Sequence, residues 1–90
     1  MEELLPVGTI VAMGEETVEV EIAGYAGKGE NGIYDYIGFV YPYGFMGRDR
    51  IIMFNRDKVI RVIHEGYKDD EFSSFAKEAV KVINDAREVK

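Results

Sequence analysis

Residues 33–41, Ile-Tyr-Asp-Tyr-Ile-Gly-Phe-Val-Tyr, constrain the fold more than any other stretch. In an extended chain, successive side chains point to opposite faces. Tyr34, Tyr36 and Val40 therefore share one face, and Ile37, Phe39 and Tyr41 the other. A strand that is apolar on both sides needs cover on both, so this one reads as a central strand of a sheet. Pro42 and Gly44 end it, because proline cannot donate to a ladder and glycine supplies turn geometry.

The rest of the sheet follows from this strand. Residues 8–13, Gly-Thr-Ile-Val-Ala-Met, form a short β-branched run. In residues 17–23, Val18, Val20 and Ile22 alternate with Thr17, Glu19 and Glu21, the pattern of a half-solvated antiparallel strand. Gly14-Glu15-Glu16 joins the two runs as a hairpin. Residues 24–32 hold four of the ten glycines and read as a flexible loop. Residues 50–54 read as a strand. Asn55-Arg56-Asp57-Lys58 reads as one tight helical turn capped by Asn55. Residues 59–64 make the last strand. A strand, a helical turn and a strand is also how small SH3-like barrels end. The expected class is α+β: a small antiparallel β-sheet or SH3-like partly open barrel of about five strands over residues 8–67. A C-terminal amphipathic helix over about residues 69–89 completes a single domain, residues 1–90.

Asp69-Asp70-Glu71 opens that helix, since acids favour the positive end of the helix dipole and an aspartate can cap it. At 100° per residue the apolar positions, among them Phe75, Val82 and Val89, span an arc of about 180°, wider than the stripe of about 100° that suffices for a surface helix. Either the helix lies in a groove of its own sheet, or part of its face meets a second chain.

Composition narrows the function classes. Ninety residues bury only roughly 60–65% of the unfolded surface, so the core is small and a partner or homodimer would add stability. The absence of cysteine removes disulfides, thiolate nucleophiles and thiolate metal sites. The acidic start lacks the basic and apolar regions of a secretory signal. No apolar run approaches the roughly 20 residues of a membrane span, so the expected location is cytoplasmic. The net charge of −6 is uneven: residues 1–47 carry −7, residues 48–64 carry +3 and residues 65–90 carry −2. That acidity disfavours a phosphate-binding surface and suits a protein partner.

No motif reaches the threshold of a catalytic, cofactor or metal site. Gly27-Lys28-Gly29-Glu30-Asn31-Gly32 matches G-x-G-x-x-G, but a strand follows it where a dinucleotide site needs a helix N-terminus. His64 is the one histidine, beside Glu65 on a strand, and no thiol exists for it to activate. The run Asp69–Glu71 lacks the alternate spacing of a calcium loop. Asp35, a carboxylate among tyrosines, reads as hydrogen-bonded to a tyrosine hydroxyl or a backbone group. The aromatics of residues 34–54, with Arg48, Arg50 and Arg56 nearby, could stack on single-stranded bases, but a domain this small needs about half of them for its core. Tyr41, Tyr43, Phe45 and Met46 form the stretch most suited to exposure, and Tyr, Phe and Met are residues that interfaces favour. For this tip, core stands slightly ahead of interface.

The blocks Leu5-Pro6-Val7-Gly8-Thr9-Ile10-Val11, Tyr34-Asp35-Tyr36-Ile37-Gly38, Tyr41-Pro42-Tyr43-Gly44-Phe45-Met46-Gly47, Phe54-Asn55 and Glu65-Gly66-Tyr67 resemble a domain-of-unknown-function family of small Gram-positive proteins. Members are encoded near type VII secretion loci and their LXG toxins. The resemblance runs from about Leu4 to Phe75, with the glycine segment as an insertion. It implies no catalytic residues. It implies an accessory role, as adaptor or chaperone for a secreted toxin or secretion component. The expectation is thus a non-enzymatic protein-binding module without cofactors, using Tyr41, Tyr43, Phe45, Met46, Phe75, Val82 and Val89. Two alternatives stand beside it: an immunity protein opposing a basic toxin with Glu15, Glu16, Glu19 and Glu21, and a weak single-stranded nucleic-acid binder.

Overall fold

The computed structural model describes residues 4–14 and 17–88. Five strands, β1 (Ile10–Met13), β2 (Val18–Gly29), β3 (Gly32–Val40), β4 (Ile52–Phe54) and β5 (Arg61–His64), precede one helix, α1 (Asp70–Glu88). All pairings are antiparallel, in the order β4-β3-β2-β1-β5. The result is the expected α+β class: an open antiparallel sheet with a C-terminal helix. Single 3₁₀ turns at Arg48–Arg50 and Arg56–Lys58 lie before and after β4.

The glycine segment corrects the sequence reading. Residues 24–29 are not a loop but the second half of β2, which runs 12 residues at the middle of the sheet, beside β3, itself an interior strand between β2 and β4. A tight turn at Glu30-Asn31 leads into Gly32, whose φ of 119° suits glycine. The glycines within the strand make room. A Cβ on Gly27 would lie 2.8 Å from Ile37 Cγ1 and 3.1 Å from Met53 Cγ. One on Gly29 would lie 2.7 Å from the Tyr34 ring. Glycine in a strand thus marks close approach by bulky neighbours. A register shift between Ile22 and Gly24 marks a bulge, which lets so long a strand bend.

One face of the sheet carries the core. Val11, Val20, Ile22, Tyr36 and Phe54 from the strands meet Ile83 of the helix and Leu4 of the N-terminal segment. Ala76 is also fully buried on the helix. Helix entry is capped as expected, with the Phe72 amide donating to Asp69 Oδ1 at 2.9 Å. The start of the chain joins the sheet too. The Gly8 amide donates to the Ile22 carbonyl and the Ile22 amide to the Thr9 carbonyl.

The crowding around each glycine predicts a graded response to alanine. At Gly38 the added Cβ would lie 2.6 Å from Val20 Cγ1 and 2.8 Å from the Glu21 carbonyl, a backbone atom that cannot swing away. Gly38→Ala should cost about 2–3 kcal/mol. Gly27→Ala, which meets only side chains, should cost about 1 kcal/mol. Gly24→Ala, with its nearest atom 4.0 Å off, should be close to neutral. Urea denaturation of the three variants checks that order.

Candidate partner-binding surfaces

The described candidate residues lie on two open apolar surfaces, separate from the exposed Ile60, Val62 and Ile63 around β5, and a polar knot holds the elements that carry them. The knot is built on Asp35, 2% exposed in β3. Asp35 Oδ2 accepts from the Arg56 amide at 2.8 Å and from Arg56 Nε at 3.2 Å. Asp35 Oδ1 forms a close ion pair with Arg87 Nη2 at 3.1 Å without hydrogen-bond geometry. Arg87 Nη2 also donates to Asn55 Oδ1 at 2.6 Å, and Arg87 Nε donates to the Ile33 carbonyl at 3.1 Å. Asn55 Oδ1 in turn accepts from the Asp35 amide at 3.0 Å. Asn55 does stand at the start of the helical turn, but its side chain makes no cap. Asp35 itself finds a backbone donor, as expected, but two arginines rather than a tyrosine hydroxyl. With Asp57, these residues line a cleft of about 360 Å³.

The sequence reading missed Asn55 and Arg87 as partners of Asp35. The register Tyr36↔Phe54 sets Asn55 opposite Asp35, so knowing the pairing of β3 with β4 would have found it. Arg87 lies 52 residues further along the chain, and no local pattern points to it. Arg56, one of the three arginines considered for nucleic acid, has its side chain engaged by Asp35.

A second set of bonds secures the N-terminal segment. The Leu5 amide donates to the Tyr36 hydroxyl at 2.9 Å, and the Tyr25 hydroxyl donates to the Leu5 carbonyl. Burial, with the neighbouring Tyr36 hydroxyl second, pushes the Tyr25 hydroxyl up to about 12. Burial raises Tyr36 as well. Tyr25 also joins the helix, with ring centroids 6.5 Å from Phe72 and 5.5 Å from Phe75.

The first open surface is the tip after β3. Tyr41, Tyr43, Phe45 and Met46 are exposed by 43%, 67%, 61% and 55%, so the slight preference for core at this tip is overturned. The reason is positional: β3 ends at Val40, and of the tip's rings Phe45 folds back, edge-to-face on Phe39 at 5.7 Å. The second surface is on α1, where Phe75 and Val82 are exposed while Ala76 and Ile83 face the sheet. The two surfaces do not merge. The tip follows Val40, with the Tyr41 amide bonded to Glu19 at one end of the β2–β3 pair, whereas the helix runs from Tyr25 to Ile33 at the other. Val89 lies outside the described residues, as do Glu15 and Glu16. His64 is exposed on the edge strand β5. Among the described residues, no three His, Asp or Glu side chains could together hold a metal ion, and no helix is long and apolar enough to cross a membrane.

The chain belongs to a family of uncharacterised domains, described as Domain of unknown function (DUF4176), whose model matches residues 4–75. The match takes in the sheet, the tip and the first turn of the helix. No curated protein and no solved structure matches the chain.

Two outcomes test this geometry. Asp35→Ala removes the anchor shared by two arginines and should lower stability by about 3 kcal/mol, at the lower end for a broken buried pair because Arg56 and Arg87 can reach water. Hydrogen exchange should quicken in the last turns of α1 in Arg87→Ala. At high pH, the folded chain holds the Tyr25 proton up to about 12, whereas the unfolded chain releases it near 10.0. The stability from this group is therefore complete below pH 10 and lost as pH rises towards 12. Denaturation midpoints between about pH 9 and about pH 11.5 should fall less steeply in Tyr25→Phe than in the parent.

Proposed function

We propose that this chain is a non-enzymatic protein-binding accessory module that works in the cytoplasm. The observation that carries this reading is the tip. Three large aromatics and a methionine lie side by side in the chain and in solvent, on a domain small enough to need such side chains inside. Tyr, Phe and Met are enriched in interfaces, and apolar surface of this kind on a small chain marks a contact site. The exposed part of α1 adds a second surface of similar character.

The resemblance to small Gram-positive proteins near type VII secretion loci sharpens the reading. On it, the partner is a secreted toxin or a secretion component, and the chain is its adaptor or chaperone. The reading needs no chemistry from Asp35, whose carboxylate is occupied in holding the fold together.

Purification of the tagged chain from its native host after crosslinking, with mass spectrometry, tests it. Recovery of a toxin or secretion component is expected. The double variant Tyr43→Ser, Phe45→Ser should lose that protein while its stability falls by only about 1 kcal/mol, the loss of the Phe45–Phe39 ring contact. Equal recovery by the parent and the variant would count against the tip. Protection of cells from the isolated toxin domain would favour the immunity reading instead.

A further inference from the structure

We propose that the outer flank of α1 is a docking seam for a basic amphipathic helix of a partner protein. The inference rests on the protein-binding reading above and adds a second surface with the chemistry of its occupant.

The helix carries two apolar stripes. Ala76, Val80 and Ile83 face the sheet, with Ala76 and Ile83 fully buried. Phe72, Phe75, Ala79, Val82 and Ala86 form another, at steps of three and four residues. That spacing is the heptad pattern of a helix-pairing seam. At 3.6 residues per turn the two stripes are centred about 90° apart, so holding the sheet leaves most of the second open, with Ala79 alone of its residues also packed on the buried cluster. Phe75 and Val82 are 49% and 59% exposed. The seam spans about 21 Å, close to four turns of a facing helix.

The seam has two different walls. On the sheet side stands the Tyr25–Ala26 stretch of β2, which with Phe75, Glu78, Ala79 and Val82 encloses an apolar cleft of about 330 Å³. On the solvent side, Glu71, Glu78 and Asp85 recur every seven residues and are all exposed. This acidic row selects the occupant. A second copy of α1 running antiparallel would bring its own acidic row against this one. A copy running parallel would have to bring the acids to Ala76 and Ile83, which the sheet covers. A helix with an apolar seam bordered by Lys or Arg meets neither obstacle, and the chain's net charge of −6 would draw it in.

Fluorescence anisotropy on the full chain, with synthetic helical peptides of about 21 residues, decides the matter. One peptide has a leucine heptad seam with lysine flanks, its twin has glutamate flanks, and a third scrambles the lysine peptide. The lysine peptide should bind at least about tenfold tighter than either control. Val82→Asp and Glu78→Lys should each weaken it about tenfold or more, and amide shifts should map to residues 72–86. Equal binding of all three peptides, no binding, or unchanged binding by the two variants overturns the proposal. So does sedimentation showing a dimer of the parent that Val82→Asp dissolves, because a second copy would then own the seam. Tyr43→Ser, Phe45→Ser should bind the lysine peptide normally. If that variant alone loses the native partner and the seam variants change nothing, the protein-binding reading stands and this inference falls.

Discussion

The carboxylate of Asp35 sits where three parts of the chain meet, and the arrangement of the others depends on it. Its backbone belongs to β3, its Oδ2 takes the first amide of the turn after β4, and its Oδ1 faces the arginine in the last turn of α1. A buried carboxylate is costly to desolvate unless its lone pairs are met, so these partners have little freedom to be elsewhere. Strand β3, the 3₁₀ turn and the helix end thereby share one reference point. The N-terminal segment has its own, on the hydroxyls of Tyr25 and Tyr36. Between the two lies the apolar contact of Tyr36 with Phe54, at 5.2 Å between ring centroids.

Much of this was legible in the residues. Alternation at Val18, Val20 and Ile22 identified the start of β2, the aromatic run identified β3, and Asp69 marked the helix entry. The rest failed for physical reasons. Gly24, Gly27 and Gly29 look like loop residues because glycine has no side chain to reveal a period. Their role is defined by Ile37, Met53 and Tyr34, residues that reach them only after the strands pair. Leu4 gave no local signal either, yet it is buried at 1% exposure. The contacts of Asp35 were readable only in part, since Asn55 follows from register but Arg87 comes from the far end of the helix. The tip was misjudged because composition says how many aromatics a core needs, not which ones a proline-bounded turn leaves outside.

The two open surfaces stand differently towards the family. Residues 4–75 take in Tyr41, Tyr43, Phe45 and Met46, together with Asp35 and Arg56. Val82, Ala86 and Arg87 lie beyond the matched stretch. The sheet with its tip is thus the part that the chain has in common with the family model. The seam is a property read from this chain's own helix, and the arginine that fastens that helix belongs to the same unmatched stretch.

That fastening has a mechanical consequence. α1 is gripped near its start by the Tyr25 ring and near its end by the Asp35 and Asn55 side chains, like a beam clamped at both supports. A load applied along its flank is passed to the sheet at both ends. A partner meeting that flank therefore has little ordering of the receiving side to supply, and association on it would be governed by collision and charge rather than by waiting for the helix to open.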